Sequence, residues 1–272
     1  MKRQKLFWFL ILLFGVAIIW LVIQHANVTH SDEYLVDIGL PQSPKGEQLV
    51  RHSAFTLSYS ELHEQARWVM YSINKSRLGG NEERSDRFAA DPAVLTGSAV
   101  DSDYKKSGYD RGHLAPAADM SWSAQAMKES FLFSNISPQL PAFNRGIWKK
   151  LEESVRRWAK QCDSVIVVTG PVFADSIGVL GANRITIPSA YYKILLMFRG
   201  NDIIPAAFLI PNEKLEQEIA SFVVSIDNLE EITHIDFFPG LPNVLETEVE
   251  ANECTLLDDI VAHPVFRFKA AS

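Results

Sequence analysis

The chain has 272 residues, 47% of them hydrophobic and 22% charged, with a formal net charge of −7. This composition excludes wholesale disorder and fits one sizeable domain once an apolar N-terminus is set aside. With the three cations of residues 1–30 taken out the balance becomes −10, which excludes a protein coated in positive charge.

Residues 6–23 run without a charge and are almost all large and apolar, and Lys2, Arg3 and Lys5 precede them. The run is long enough to span a bilayer and longer than an ordinary signal-peptide core, and 24–26 (Gln-His-Ala) make a poor cleavage site. The expectation is an uncleaved signal anchor over 1–30, with the basic end in the cytoplasm and the bulk of the chain outside it. That means periplasmic or extracellular, or an organelle membrane in a eukaryote; a cleaved N-terminus would make the protein secreted. Residues 31–50 read as a polar linker, with Pro41, Ser43, Pro44 and Gly46, and the folded domain is expected over 51–272.

In chain order, 52–60 alternates like a strand, and 61–73 suits either a helix or a strand. Residues 121–133 predict a short amphipathic helix. Residues 141–160 predict a longer one, because Trp148, Leu151, Val155 and Trp158 recur at three- and four-residue steps. Residues 164–169 form a buried strand ended by Gly170-Pro171; 191–198 and 203–210 are further strands, and 214–226 reads as helical. Strands and helices mix without regular alternation, which predicts an α+β fold with a mixed or antiparallel central sheet flanked by helices.

Charge is unevenly placed. Residues 104–160 carry ten Lys and Arg against five acids, whereas acids concentrate at 213–259. The basic window is a candidate phosphate-facing surface or a chance cluster. Cys162 and Cys254 have no CxxC or Cys/His neighbourhood, so no cysteine-based zinc site is read; they remain either two thiols or one disulfide.

The densest run of chemically useful residues is Tyr109-Asp110-Arg111-Gly112-His113. A histidine takes a proton from water near neutral pH, and an arginine grips phosphate. About thirty residues on come Ser134-Asn135-Ile136-Ser137-Pro138-Gln139 and then Phe143-Asn144-Arg145-Gly146-Ile147-Trp148, with Glu152 following. Taken singly, Asn144 also suits a helix N-cap and Glu152 a solvated helix face. On a straight helix eight residues put them about 12 Å apart along the axis, too far to share one small ion, though Glu152 could hold an ion-bound water.

Together DRGH at 110–113, SNISPQ at 134–139 and FNRGIWKKLEE at 143–153 resemble the DNA/RNA non-specific endonuclease family, the endonuclease G and Serratia-type nucleases with a ββα-metal, His-Me finger site. Glu83-Arg84-Ser85 with Phe88 resembles the family's upstream arginine segment, and Tyr192-Lys193 one of its later strands. The resemblance implies a hydrolase acting on DNA and RNA to leave 5′-phosphates. It implies His113 as general base, Asn144 as direct ligand of Mg²⁺ (Mn²⁺ in its place), and Glu152 on an ion-bound water. Asn135 and Arg111 would support the site, and Arg84 would be the transition-state arginine, with Arg87 the competing position. It also allows a homodimer. The competing reading is an inactive, membrane-tethered nucleic-acid-binding protein.

Overall fold

The computed structural model describes residues 38–42, 44–253, 255–257, 260–262 and 266–267. The expected anchor over 1–30, and Cys254 with any pairing to Cys162, lie outside them; Cys162 itself is buried. Among the described residues no helix is long and apolar enough to cross a membrane.

The strands, in chain order, are β1 (Gln48–Arg51), β2 (Phe55–Ser60), β3 (Gln65–Asn74), β4 (Asp110–His113), β5 (Ile136–Gln139), β6 (Ser164–Val172), β7 (Gly178–Leu180), β8 (Ile185–Ile187), β9 (Ala190–Arg199), β10 (Asp202–Pro211), β11 (Val223–Val224), β12 (Thr255–Leu257), β13 (Ile260–Ala262) and β14 (Phe266–Arg267). The main helices are α1 (Ala124–Ser130), α2 (Lys149–Ala159), α3 (Ile226–Thr233) and α4 (Asn243–Glu250). The central sheet runs β1-β2-β3-β6-β9-β10-β11, with β14 also on β10, and every pairing in it is antiparallel. The α+β expectation holds, and its mixed-or-antiparallel alternative resolves to antiparallel.

Strand periodicity divides the core. Val69, Tyr71, Val165, Val167 and Leu195 face one side of the sheet, where Trp148, Leu151, Val155 and Trp158 of the α2 segment cover them. Their neighbours Trp68, Met70, Ile166, Val168, Ile194 and Leu196 face the other side, under Ile226, Leu229, Leu245 and Val249 of α3 and α4. Both faces are dry, so β6 and β9 read as continuous apolar runs rather than alternating ones. The four-residue stripe expected on α2 is its buried face.

Several expectations need correction. The strand expected to end at Gly170-Pro171 continues to Val172. The β3–β6 ladder stops at Val69↔Thr169 while β6–β9 runs on to Val172↔Ala190, so Pro171 stands where β6 has become an edge and its missing N–H is tolerated. The helix expected over 214–226 is instead irregular chain, one 3₁₀ turn (Ile219–Phe222) and β11, which takes up the free edge of β10; α3 starts only after Ser225 caps it by accepting from the Asn228 N–H at 3.1 Å. The polar stretch expected as a linker is not free over its described part. Ile38 is fully buried, Gln42 bridges Asp236, and β1 pairs β2, so the folded body starts before residue 51. Gln42 and β1 satisfy backbone groups at two sheet-like contacts, a local role that polar composition does not reveal.

The two-stranded β4–β5 ladder lies off the central sheet and pairs His113 with Ile136. From β5 the chain enters a single helical turn (Pro141–Phe143), then a widened π turn (Asn144–Trp148), then α2. The continuous helix expected over 141–160 is therefore broken at Gly146, whose backbone leaves the helical region at φ −100°, ψ −111°. π turns of this kind re-aim side chains at functional sites.

Candidate active site

β4 and the helical segment from Asn144 to Arg156 bring the first and third sequence motifs to one open cleft of about 450 Å³, lined by Arg84, Arg111, His113, Asn144, Arg145, Lys149, Glu152 and Arg156 with Pro116 to Ala118. Five cations face one carboxylate in that lining. Four of them come from the basic window at 104–160, so part of the local charge excess has a place in the structure. Elsewhere each guanidinium has a carboxylate behind it: Arg84 has Asp86 at 2.6 Å, Arg111 has Asp101 at 2.6 Å, Arg145 has Asp110 at 2.6 Å and Arg156 has Asp119 at 2.9 Å. Such pairs orient the guanidinium while leaving its other N–H groups for an anion.

His113 sits at the inner wall, 9% exposed. Phe131 meets its ring edge-on at 4.8 Å and Phe88 at 5.6 Å. Its Nε2 is buried without a hydrogen-bond partner among the described residues. Burial, with Arg84 nearby adding to it, pushes the imidazole down to about pKa 3, so it is unprotonated at pH 7. The backbone holds it firmly. Fully buried Asn135 accepts the Ala115 N–H (2.9 Å) and donates to the carbonyls of Ala115 and Ser130 (2.9 Å each), clamping the chain two residues past His113. Asn135 thus reaches the site through the backbone and does not line the cleft. Gly112 lets β4 lie against Gln139, because a Cβ there would stand 2.2 Å from the Gln139 amide oxygen.

Asn144 is no N-cap. It lies inside the helical run, and its Nδ2 donates to Asp110 at 2.9 Å. A carboxylate only accepts, so the amide is fixed with nitrogen toward Asp110 and Oδ1 left for the cleft. Asp110 also takes two hydrogen bonds from Arg145 and is held below the usual carboxylate range by Arg145 and Asn144 against its own burial. An oriented, neutral amide oxygen next to a cleft fits a hard divalent cation. Sequence reasoning assigned Asp110 no role, although it stands inside the motif; the signal available was its place beside Arg111 and His113.

Beneath Glu152 lies a buried polar floor that sequence reasoning also missed. Asp119 accepts from Tyr71 (3.1 Å) and Arg156 (2.9 Å), and the fully buried Lys193 ammonium lies 4.6 Å over the Trp148 ring with no hydrogen-bond partner among the described residues. Burial pushes Glu152 upward against the pull of Lys193, and burial pushes Lys193 down against Glu152 and Asp119. The readable signal was the i, i+4 spacing of Glu152 and Arg156. Of the two competing arginines, Arg84 lines the cleft and stacks over Phe131 at 5.0 Å, whereas Arg87 is exposed and outside the lining.

β4 carries His113, β5 pairs with it, and the helical segment that follows is entered through Asn144, a ββα order of elements. A family model described as DNA/RNA non-specific endonuclease matches residues 34–244, and the chain belongs to that family. It is 32% identical to human mitochondrial nuclease EXOG over 82% of this chain, spanning 66% of that relative's length, just under two thirds of it. It is 33% identical to a protein named Nuclease from Nostoc sp. over 75% of this chain and 77% of the relative. The fold superposes with a TM-score of 0.73 and 26% identity on a chain from a crystal structure of the EndoG/EndoGI complex, covering 79% of this chain and 94% of that one.

Proposed function

We propose that the protein is a metal-dependent, sugar-non-specific endonuclease that hydrolyses phosphodiester bonds of DNA and RNA to 5′-phosphate products. One observation carries the reading: a neutral imidazole and an oriented amide oxygen share a cleft in which five cations face one carboxylate. Family membership and the relatives' names support it.

In this reading His113 takes the proton from the attacking water, for which its unprotonated state suits it. Asn144 Oδ1 would hold a Mg²⁺ ion, with Mn²⁺ able to replace it, and Glu152 would orient water beside it. When bound, the ion supplies Lewis acidity at the departing 3′-oxygen. Arg84 and Arg111 neutralise the non-bridging oxygens, and Arg145 and Lys149 extend the grip along the backbone. Contacts of this kind go to phosphate and sugar, so sequence preference is weak and salt weakens binding. Residues 6–23 anchor the protein in a membrane with the cleft outside the cytoplasm; recovery of the full chain in the soluble fraction after alkaline extraction would remove that part of the reading.

The test incubates the full chain in detergent with supercoiled plasmid and with RNA, in Mg²⁺ or in EDTA. Degradation of both substrates in Mg²⁺ alone is the expected result; a folded protein that leaves both intact in Mg²⁺ and Mn²⁺ at low salt sinks it. The arginine assignment has its own expected outcome. Arg84→Ala lowers kcat by about 10²–10³-fold, the range for losing one transition-state donor, while Arg87→Ala changes it by no more than about threefold. A larger loss in Arg87→Ala, measured by steady-state kinetics on a labelled oligonucleotide, reverses the assignment.

A further inference from the structure

Among the described residues, the acids gathered at 213–259 do not line the cleft. That stretch has thirteen Asp and Glu and one cation, Lys214. α3 and α4 pack against the face of the sheet opposite α2, whereas Leu215, Ile219, Phe222 and Val223 pack on the α2 side, so it is the acids of the two helices that lie apart from the cleft. There Asp227 and Glu230 of α3 and Glu250 of α4 each offer one carboxylate oxygen, and the three oxygens lie within 4.8 Å of one another.

A surface cluster of acids alone would mean little. Glu250 sets this one apart. It is only 6% exposed, and its Oε1 is buried without a hydrogen-bond partner among the described residues while its carboxylate faces the cluster. It is also the last residue of α4, the negative end of that helix, where an acid is disfavoured. The charges acting on it most strongly are Glu230, Glu246, Asp227 and Asp236, all acidic. Among the described residues this carboxylate, buried among carboxylates with an open lone pair, has no cationic partner, the role that a bound cation would fill.

We propose that Asp227, Glu230 and Glu250 bind a hard divalent cation, with Ca²⁺ as the fitting ion, at a second site remote from the cleft. The donors are all oxygen, which selects against soft metals. Their number and irregular placement, from two turns of different helices, suit the flexible coordination of Ca²⁺ better than the strict octahedron of Mg²⁺. The residues are arranged for it. Ser225 caps α3 and sets Asp227 in its first turn. The Phe237 N–H fixes Glu230 by donating to its Oε1 at 2.8 Å, which leaves the other oxygen free to turn to the ion. Gln42 donates to Asp236 at 3.2 Å and bridges its backbone, so the chain entering the domain is tied next to the cluster. A cation here would pin α3 to α4 and steady that entry.

The experiment uses Ca²⁺ alone as probe, on the full chain in detergent carrying Asn144→Ala, which removes the proposed ligand in the cleft. Calorimetric titration is expected to show binding. Melting is expected to shift up by roughly 5–10 °C at a hundredfold excess over Kd, the size that linkage gives for a domain of this length. Adding Glu250→Gln is expected to weaken binding at least about tenfold and abolish the shift. Asp227→Asn, at the exposed rim where folding is not at stake, should weaken binding in the same direction. With Asn144 intact, Glu250→Gln should leave Mg²⁺-dependent nuclease activity unchanged. No heat of Ca²⁺ binding in the Asn144→Ala protein, or binding that survives both Glu250→Gln and Asp227→Asn, overturns the proposal. If Glu250 is instead merely protonated, Glu250→Gln melts higher than its parent and Ca²⁺ shifts neither, which equally overturns it. Because the Asn144→Ala background removes the cleft from the readout, these results stand or fall apart from the nuclease reading.

Discussion

His113→Ala is expected to reduce cleavage of plasmid and of RNA by about 10²–10⁴-fold at saturating Mg²⁺, the range in which a positioned general base contributes. KM should move little, because the imidazole is set back in the wall between Phe88 and Phe131 while the cations form the binding surface. Loss on both substrates in parallel is the expected pattern, since the base acts on water rather than on sugar or base. A variant that keeps more than about a tenth of wild-type kcat would move the base elsewhere.

The same substitution has a stability signature that activity does not report. Folding lowers the His113 pKa from 6.5 to about 3, so between those values the unfolded chain binds a proton that the folded chain does not. The histidine's contribution is therefore fully present above pH 6.5 and declines as pH falls toward 3. Chemical denaturation at pH 7.5 and at pH 4.5 should show wild type losing more stability than His113→Ala over that interval. Equal losses would mean that the imidazole is solvated enough to titrate normally.

Asn144→Ala is the second large effect. Removing the oriented amide oxygen is expected to lower activity by at least about 100-fold at fixed Mg²⁺, and to raise the Mg²⁺ concentration for half-maximal rate. Asp110→Asn should reproduce part of this, about 10–100-fold, through orientation alone. It removes the acceptor-only partner that now fixes the Asn144 amide, and it releases Arg145. The diagnostic is the metal dependence: in Asp110→Asn, saturating Mg²⁺ should recover more rate than it does in Asn144→Ala. Unchanged Mg²⁺ dependence in Asn144→Ala would place the ion on other ligands.

Much of this protein was legible one element at a time. The α2 stripe at Trp148, Leu151, Val155 and Trp158 could be read because helical period and burial are both local properties of the chain. β9 and β10 were read within two residues of their ends, since long apolar runs bounded by turn residues leave few alternatives. The chain also marked His113 and Asn144 by the density of polar chemistry around them, and the resemblance joined them into one site. Local reading failed where partners from far along the sequence decide. Pro171 was taken as a strand end because its tolerance depends on where the β3 ladder stops, a fact about another strand. Residues 214–226 read as helical in the sequence, whereas the open edge of β10 draws Val223 and Val224 into a strand.

The site divides along the same line. Which side chains could act was set by residue type and spacing, since a base, an amide ligand and arginines are chemical properties of single residues. Their states were set only by the fold. Burial between Phe88 and Phe131 keeps the His113 imidazole unprotonated, and Asp110 turns the Asn144 oxygen outward. The cleft selects Arg84 over Arg87 for its wall, and the pairing of α3 with α4 buries Glu250 among other carboxylates. Desolvation and the direction of a hydrogen bond arise from what surrounds a group in space, and sequence separations such as the 34 residues between Asp110 and Asn144 do not encode them.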